Sequence, residues 1–218
     1  MKAANLAPLK KDFVTALRII AREGLSDAFA HLSARVGGEM LFMPRKSPAL
    51  VKASELFVVD FDKAVPQSAV HQAVYKARPD AGAVFHFHSE RVILLTVVGE
   101  TVRPMHNYSA IFYEGVPVFE GAGQVETPER AADIAKLLGS SKAVLLRGHG
   151  AVVVGRTVRE AAILALYLEE SARLQAEAMK LGKPIYLDSA AAEKVAKRTF
   201  KPASTERAWE HYSAGVKA

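Results

Sequence analysis

Residues 75–89 of the chain read YKARPDAGAVFHFHS and end in an apolar run, 83–88, that is typical of a buried strand. Side chains two positions apart on a strand point to the same face. His86 and His88 can therefore reach one point beside the carboxyl end of this strand, while Phe85 and Phe87 on the other face belong in the core. The stretch predicts a core strand that carries two imidazoles able to bind a metal.

A third histidine lies between two further apolar runs, in the stretch 143–161 that reads AVLLRGHGAVVVGRTVREA. Gly148 and Gly150 flank His149, and glycine on both sides lets the backbone turn sharply and lets another element approach closely. With the other two imidazoles, His149 would complete a set of three neutral nitrogen donors. Three protein ligands plus open positions are typical of a catalytic metal site. The alternative is that all three are structural histidines satisfied by hydrogen bonds.

Helical and strand patterns alternate along the chain. Half of its 218 residues are hydrophobic, and no repeat or long linker interrupts the pattern, so we expect one α/β domain, 1–218, with helices covering a central sheet. Pro66 is the predicted first residue of the second helix. Thr157 and Glu160, three positions apart, predict a capping box at the start of the longest helix. The tail around Trp209 has only a weak helical pattern. The predicted helices are 9–23, 66–77, 89–98, 128–138 and 158–181, and the predicted strands are 29–36, 40–43, 56–61, 83–88, 116–119, 143–146 and 151–154.

The composition excludes several kinds of protein. There is no cysteine, so disulfides, a thiolate nucleophile and cysteine zinc sites are excluded, and any metal must be held by His, Asp or Glu. The net charge is +6, but basic and acidic residues are interleaved, which suits a small anionic substrate and argues against nucleic acid. No apolar run is long enough to span a bilayer, and residues 1–11 lack the apolar region of a signal peptide. We therefore expect no membrane partner and a cytoplasmic location.

The motifs ARPD, H-x-H and G-H-G, in this order and spacing, closely resemble class II aldolase/adducin-family proteins over nearly the whole chain. The resemblance implies a three-layer α/β/α domain with a central mixed β-sheet. It also implies a homotetramer with active sites near the subunit interfaces, and one divalent metal ion per chain held by His86, His88 and His149. We expect Zn²⁺ first; Mn²⁺, Co²⁺ and Fe²⁺ also suit histidine ligands.

Gln67 is the first departure from the family's aldolase pattern. Sugar-phosphate aldolases and epimerases of the family have a glutamate at this position, which binds the resting metal and acts as a base. An amide cannot take a proton from carbon near neutral pH, so Gln67 leaves the role of base vacant. Its amide still offers a donor and an acceptor to a substrate, so we keep Gln67 among the candidate catalytic residues.

The loops that bind phosphate in the family's aldolases are the second departure. In place of small residues, 30–35 read AHLSAR and 43–51 read MPRKSPALV. The resemblance places His31, Ser33, Arg45 and Lys46 at the substrate. A guanidinium such as that of Arg45 can clamp a carboxylate bidentately. A solvated loop is the alternative interpretation of the two basic residues.

Residues 103–108, RPMHNY, are the third departure. The tyrosine that donates a proton in the family's aldolases would fall at Asn107. His106 remains as a candidate proton donor, and Tyr108 replaces the phenol, as a substrate-binding residue, only if the loop shifts by one position. The alternative for His106 is a structural role in the loop.

The HLSAR segment, the SPALV loop and the RPMH…GVPVF run are most similar to the family's decarboxylase branch, which acts on hydroxypyridine and dihydroxyphthalate dicarboxylates in aromatic catabolism. Loss of CO₂ itself generates a carbanion, so decarboxylation needs an electron sink and a proton donor but no carbon base. We therefore predict a divalent-metal-dependent decarboxylase, a carbon–carbon lyase, of a small hydroxylated or oxo dicarboxylate that is aromatic or a ring-cleavage product. The alternatives are a (retro-)aldolase for a non-phosphorylated substrate and a non-catalytic adducin-like binding module.

Overall fold

The strands of the molecule form one mixed sheet. The computed structural model describes residues 6–63, 65, 67–121, 123–125 and 127–216. In these ranges the strands are β1 (His31–Val36), β2 (Glu39–Phe42), β3 (Phe57–Asp60), β4 (Ala83–Phe87), β5 (Val118–Phe119), β6 (Ala143–Leu146) and β7 (Gly150–Gly155). Their order in the sheet is β3-β2-β1-β4-β7-β6-β5. Neighbours are antiparallel, except that β5 and β6 are parallel.

Helices cover both faces of this sheet. Within the same ranges they are α1 (Ala7–Arg22), α2 (Ala69–Ala77), α3 (Glu90–Val97), α4 (Pro128–Leu138), α5 (Val158–Leu181), α6 (Ser189–Thr199) and α7 (Pro202–Ser213), and none is long and apolar enough to cross a membrane. One core, which includes Phe85 and Leu164, lies between the sheet and α1, α5 and α7. A second core, which includes Val84 and Ile134, lies between the sheet and α2 and α4. The predicted three-layer α/β/α arrangement is confirmed.

The strand register brings four loops to one edge of the sheet, called here the site edge. His31 at the start of β1 pairs with His86 near the end of β4, and Ala151 near the start of β7 pairs with Phe87. β2 runs antiparallel to β1 and therefore ends at this edge as well. The segments that precede β1, follow β2, follow β4 and precede β7 consequently meet there.

The second helix begins later than predicted. α2 starts at Ala69, and Pro66, its predicted first residue, lies outside the described residues. Gln67 has a φ of 68°, in the left-handed region that residues other than glycine rarely adopt. Because this backbone conformation cannot continue into a right-handed helix, the helix begins only after it.

One prediction about the C-terminal third needs correction. Thr157 caps α5 as predicted, since its side chain accepts from the N–H of Glu160, but the capping box is incomplete. The Glu160 carboxylate instead accepts from Nε of Arg156 at 2.8 Å. The tail with a weak helical pattern forms two helices, α6 and α7, and Trp209 on α7 is buried against α5.

Candidate metal centre

Three imidazoles converge at the site edge. The ring centroids of His86, His88 and His149 are each 4.9 Å from the other two, and one nitrogen of each ring lies within 4.8 Å of the others. Nε2 of His86 lies 3.1 Å from Nε2 of His88. Two nitrogens bound to one ion at ~2.0–2.1 Å would be roughly 2.9–3.4 Å apart, for angles between a right angle and tetrahedral. The spacing therefore fits a shared ion.

Gly150 brings His149 against the end of β4. A β-carbon at Gly150 would collide with the carbonyl oxygen of Phe87 and would lie 3.2 Å from Cα of His88. Gly148, with a φ of 64°, supplies the turn before the histidine. The close approach predicted for this glycine pair is confirmed, and it places the third imidazole beside the other two.

Two of the three rings are oriented by hydrogen bonds at Nδ1. Nδ1 of His86 donates to the carbonyl of Ala151 at 3.0 Å, and Nδ1 of His88 lies 3.1 and 3.2 Å from the carboxylate oxygens of Asp27. An imidazole that donates at Nδ1 carries a free lone pair on Nε2, which is the usual arrangement of a histidine metal ligand. Nδ1 of His149 is buried and has no hydrogen-bond partner among the described residues, a costly state unless a bound group satisfies it. The residues present thus fit a metal ion.

Burial keeps two of the three imidazoles in the form that binds metal. It lowers the pKa of His86 well below the usual range, and the neighbouring His31, His88 and His149 lower this pKa further. Burial and the nearby His88 also lower the pKa of His149. Neutral imidazoles keep the lone pairs that a divalent cation requires.

A second histidine pair lies behind His86. The ring of His31 is 4.9 Å from that of His86 and 5.6 Å from that of His71, which projects from α2. Nδ1 of His31 lies 3.4 Å from Nε2 of His71. Ser33 Oγ lies 2.7 Å from Nδ1 of His71 and 2.9 Å from the Tyr75 hydroxyl. A line of polar contacts therefore leads from the three-histidine centre into the core.

The sequence profile of the Class II Aldolase and Adducin N-terminal domain matches residues 11–176. The chain belongs to the class II aldolase/adducin family. It is 27% identical over 200 residues to a 3,4-dihydroxyphthalate decarboxylase of Arthrobacter keyseri, covering 81% of both chains. It is 28% identical over 203 residues to decarboxylase tropJ of Talaromyces stipitatus, covering 78% of this chain and 76% of the relative. The L-fuculose 1-phosphate aldolase of Glaciozyma antarctica has the same fold, with a TM-score of 0.82 at 24% identity over 97% of this chain and 89% of that one.

In this class II aldolase/adducin protein, the two predicted basic residues lie on the loop after β2, at the site edge. Arg45 is exposed and has no ion pair in the part of the chain that the structure describes. Lys46 is already paired, because its Nζ lies 2.8 and 3.1 Å from the carboxylate oxygens of Glu55. Of these two basic residues, Arg45 is therefore the one whose charge is not already paired within the described ranges.

Gln67 and Ser33 differ in burial. Gln67 is half-buried in the segment before α2, two positions ahead of Ala69, and its left-handed φ sets it outside the periodicity of that helix. Ser33 is 0% exposed and its hydroxyl is bonded to His71 and Tyr75. The hydroxyl is therefore enclosed by side chains of its own chain, and its contact with a substrate stays a prediction.

His106 and Tyr108 are not brought to the three histidines of their own chain. Tyr108 stacks on Tyr167 of α5, with ring centroids 4.2 Å apart, on the face of the sheet that Phe85 covers. His86 projects from the opposite face. Nδ1 of His106 accepts from the backbone N–H of Tyr108 at 3.3 Å, and its Nε2 is buried without a partner among the described residues. Burial lowers the pKa of His106.

The site also contains three residues that the sequence did not predict, Asp27, His71 and Tyr75. The pattern H-x-x-x-Y on α2, opposite H-x-S on β1, was a usable signal, because residues four apart on a helix share a face and residues two apart on a strand do the same. Asp27 had no local signal, because it lies in a loop and meets His88 only through the tertiary fold.

Proposed function

We propose that this protein is a divalent-metal-dependent decarboxylase of a small hydroxylated or oxo dicarboxylate, aromatic or derived from ring cleavage, in aromatic catabolism. The observation that carries the proposal is the three-imidazole centre combined with glutamine, at Gln67, where aldolases of the family have glutamate. Two relatives that share about four fifths of the chain are named as decarboxylases, one of them for 3,4-dihydroxyphthalate.

The chemistry of decarboxylation matches this set of groups. Cleavage of the bond to the carboxylate leaves an electron pair on carbon, which must be stabilised and then protonated. A divalent ion on His86, His88 and His149 would supply Lewis acidity to stabilise that pair. No side chain has to remove a proton from carbon, so a glutamine is tolerated where an aldolase requires a carboxylate.

Arg45 is assigned to the substrate's second carboxylate. Its exposure, its position at the site edge and its lack of an ion pair in the described ranges support this role, because a free guanidinium binds a carboxylate bidentately. Lys46, held by Glu55, contributes positive charge and orders the loop. His31 and Gln67 complete the polar wall and orient the substrate by hydrogen bonds.

His106 and Tyr108 are assigned to the site of a neighbouring subunit. They lie on the face of the sheet away from their own three-histidine centre, and the partnerless Nε2 of His106 is a proton donor or acceptor without a use inside the described chain. In a homotetramer with interface sites, His106 of one subunit would protonate the carbanion in the next, or hold the water that does so. The proposal includes Zn²⁺ before Mn²⁺, Co²⁺ or Fe²⁺, and a cytoplasmic location.

Metal content is the first test. Tag-free protein purified without chelator should contain about one divalent ion per chain by elemental analysis, and His86→Ala should contain none. His211→Ala is the matched control, because His211 is exposed on α7 outside the centre. Absence of metal after reconstitution with Zn²⁺, Mn²⁺ and Co²⁺ would favour a non-catalytic module instead.

CO₂ release is the second test. A set of ortho-hydroxylated aromatic dicarboxylates should include a substrate from which the metal-loaded protein releases CO₂, and His149→Ala should abolish release together with metal binding. Release at the wild-type rate by His149→Ala would refute the assignment of the centre.

A further inference from the structure

Four polar side chains form one line from the core to the candidate centre. The Tyr75 hydroxyl lies 2.9 Å from Ser33 Oγ, this oxygen lies 2.7 Å from Nδ1 of His71, and Nε2 of His71 lies 3.4 Å from Nδ1 of His31. Tyr75, Ser33 and His71 are 2%, 0% and 0% exposed. Because water does not reach these three groups, their donors and acceptors must be satisfied by one another, by His31 and by the backbone of Val84, which also bonds Tyr75 and His71.

Tyr75 fixes the direction of these hydrogen bonds. Its hydroxyl has two partners within the described chain, Ser33 Oγ and the backbone N–H of Val84, and the N–H can only donate. If Tyr75 accepted from Ser33 as well, its own proton would be buried without an acceptor, which costs more than the bond gains. Burial also raises the pKa of Tyr75, so the phenol keeps its proton. Tyr75 therefore donates to Ser33, and the Ser33 proton is left to donate to His71.

The same donor-to-acceptor direction continues through the imidazoles of His71 and His31. A neutral imidazole that accepts at one nitrogen donates at the other. Burial lowers the pKa of His71 to about 3, with a smaller contribution from His86, and a hydrogen bond to the Val84 backbone opposes this shift without reversing it, so the ring is neutral. Since it accepts from Ser33 at Nδ1, its proton is on Nε2, the nitrogen that faces Nδ1 of His31. His31 consequently carries its own proton on Nε2, on the side of the ring away from His71.

We propose that Tyr75, Ser33 and His71 are positioning residues that fix His31 as the Nε2–H tautomer, so that His31 donates a hydrogen bond to an anionic oxygen of the substrate. His31 is the cross-strand partner of His86, with ring centroids 4.9 Å apart, so this donor stands beside the metal centre. The identity of the acceptor rests on the proposed function, whereas the position of the proton does not.

The contrast with His86 supports this assignment. His86 donates from Nδ1 to a backbone carbonyl, so its Nε2 is a lone pair, as a metal ligand requires. His31 accepts at Nδ1, so its Nε2 carries a proton and is unsuited to bind a cation. Two facing histidines thus have opposite tautomers because their outer partners differ, one an acceptor and the other a donor.

Nitrogen-15 magic-angle-spinning spectra of protein labelled only in histidine test the tautomer directly. The spectra are recorded on Zn²⁺-loaded protein, which is diamagnetic, and on chelator-treated protein, and the signals lost in His31→Gln identify His31. We expect a protonated Nε2 and an unprotonated Nδ1 in both samples. A proton on Nδ1, or an unprotonated Nε2 that shifts with Zn²⁺, would overturn the proposal, and the latter would make His31 a fourth ligand.

Tyr75→Phe tests the positioning role, because it keeps the ring and removes the donor at the end of the line. A second set of His31 signals, from the Nδ1–H tautomer, is expected in this variant and not in Tyr186→Phe, a control whose ring contacts Arg103 outside the line. An unchanged His31 would refute the role of Tyr75. Should Tyr75→Phe fail to fold, the wild-type spectrum still decides where the proton is.

Phthalate, an aromatic dicarboxylate without a reactive hydroxyl, tests the acceptor. Its addition should shift the Nε2 and not the Nδ1 signal of His31, and Tyr75→Phe should bind it about fivefold more weakly, as expected for loss of one oriented hydrogen bond. The substrate contact would be refuted if Nε2 of His31 is protonated but its signal shifts neither with phthalate nor with any compound that the protein decarboxylates. Absence of CO₂ release with the expected tautomer and phthalate response would count against decarboxylation alone.

Discussion

The carboxylate of Asp27 lies 3.1 Å from Nδ1 of His88, although 61 positions separate the two residues in the chain. The same carboxylate accepts a hydrogen bond of 2.8 Å from the backbone N–H of Phe29, which fixes the turn before β1. A carboxylate at Nδ1 orients an imidazole and makes its Nε2 a stronger ligand. Asp27 therefore connects the conformation of this loop to the three-histidine centre.

Replacing Asp27 by Asn should weaken Zn²⁺ binding about 10–100-fold, the usual effect of losing an outer partner of a metal ligand. The variant keeps the size of the side chain and removes its charge, so the fold should be retained. Competition with a chromophoric chelator measures the affinity. Asp133→Asn, on the exposed surface of α4, is the matched control, and equal affinities of the two variants would exclude a role for Asp27.

Gly150→Ala should destabilise the protein by about 2 kcal/mol or more and should also reduce metal binding, because the added methyl collides with the Phe87 carbonyl and pushes His149 away from the centre. Urea unfolding and metal content measure the two effects. Gly38→Ala is the control, since nothing lies within 4 Å of a β-carbon there, and it should change stability by less than about 0.5 kcal/mol. Similar effects of both variants would contradict the close approach.

Arg45→Met should raise KM for the dicarboxylate about 10–100-fold, as expected for loss of a charged hydrogen-bonded pair, with metal content unchanged. Steady-state kinetics on the substrate found by CO₂ release provide the measurement. Arg198→Met, on the exposed surface of α6, removes an equal charge away from the site edge and should leave KM within about twofold. A fall in kcat with KM unaltered would place Arg45 in another role.

The lowered pKa of His71 predicts that the folded protein loses stability in acid. Its pKa is about 3 in the folded protein and about 6.5 in the unfolded chain, so below pH 6.5 only the unfolded chain binds the proton. The free energy of unfolding therefore decreases as the pH falls, by about 2 kcal/mol at pH 5 from this group, until the folded protein also binds the proton near pH 3.

His71→Gln should remove this contribution. Its unfolding free energy, measured by urea denaturation of chelator-treated protein between pH 8 and pH 5, should depend on pH less than that of wild type, by about 2 kcal/mol over this range. His211→Gln, exposed on α7, should keep the wild-type dependence. The same pH dependence in His71→Gln and wild type would show that another group is responsible.

Gln67→Glu should add aldol cleavage of phosphate-free substrates to a protein that otherwise lacks it, because the carboxylate provides the missing carbon base. Coupled detection of the released aldehyde measures this activity. Gln67→Asn, which is equally uncharged, is the control and should remain inactive in this assay. Cleavage by wild type at the rate of Gln67→Glu would favour the aldolase alternative.

The sequence predicted those parts of the site that depend on local geometry. His86 and His88 are two positions apart at the end of an apolar run, and a strand places such residues together whatever surrounds it. His149 could be added because flanking glycines indicate a tight turn that tolerates close approach. Resemblance to a family then predicted the three-layer α/β/α fold. The profile match confirms the family, and the likeness to a solved aldolase structure confirms the fold.

Two features were not predictable in this way. The capping box at Thr157 is incomplete because the Glu160 side chain pairs with Arg156, four residues before it, and spacing alone does not decide between two local partners. Ser33 matches a substrate-binding position, yet the packing of α2 onto β1 buries its hydroxyl. A competing local partner in the first case, and the packing of another element in the second, decides what the side chain can bind.

By itself, the sequence determined that three imidazoles can meet at one edge of a sheet and that no carboxylate occupies the position of the aldolase base. Only the tertiary structure decided which outer groups face these imidazoles: Asp27 at His88, a backbone carbonyl at His86, and His71 at His31. The physical reason is that strand and helix periodicity fix directions within one element, whereas the proton on an imidazole is set by the donor or acceptor that another element places against it.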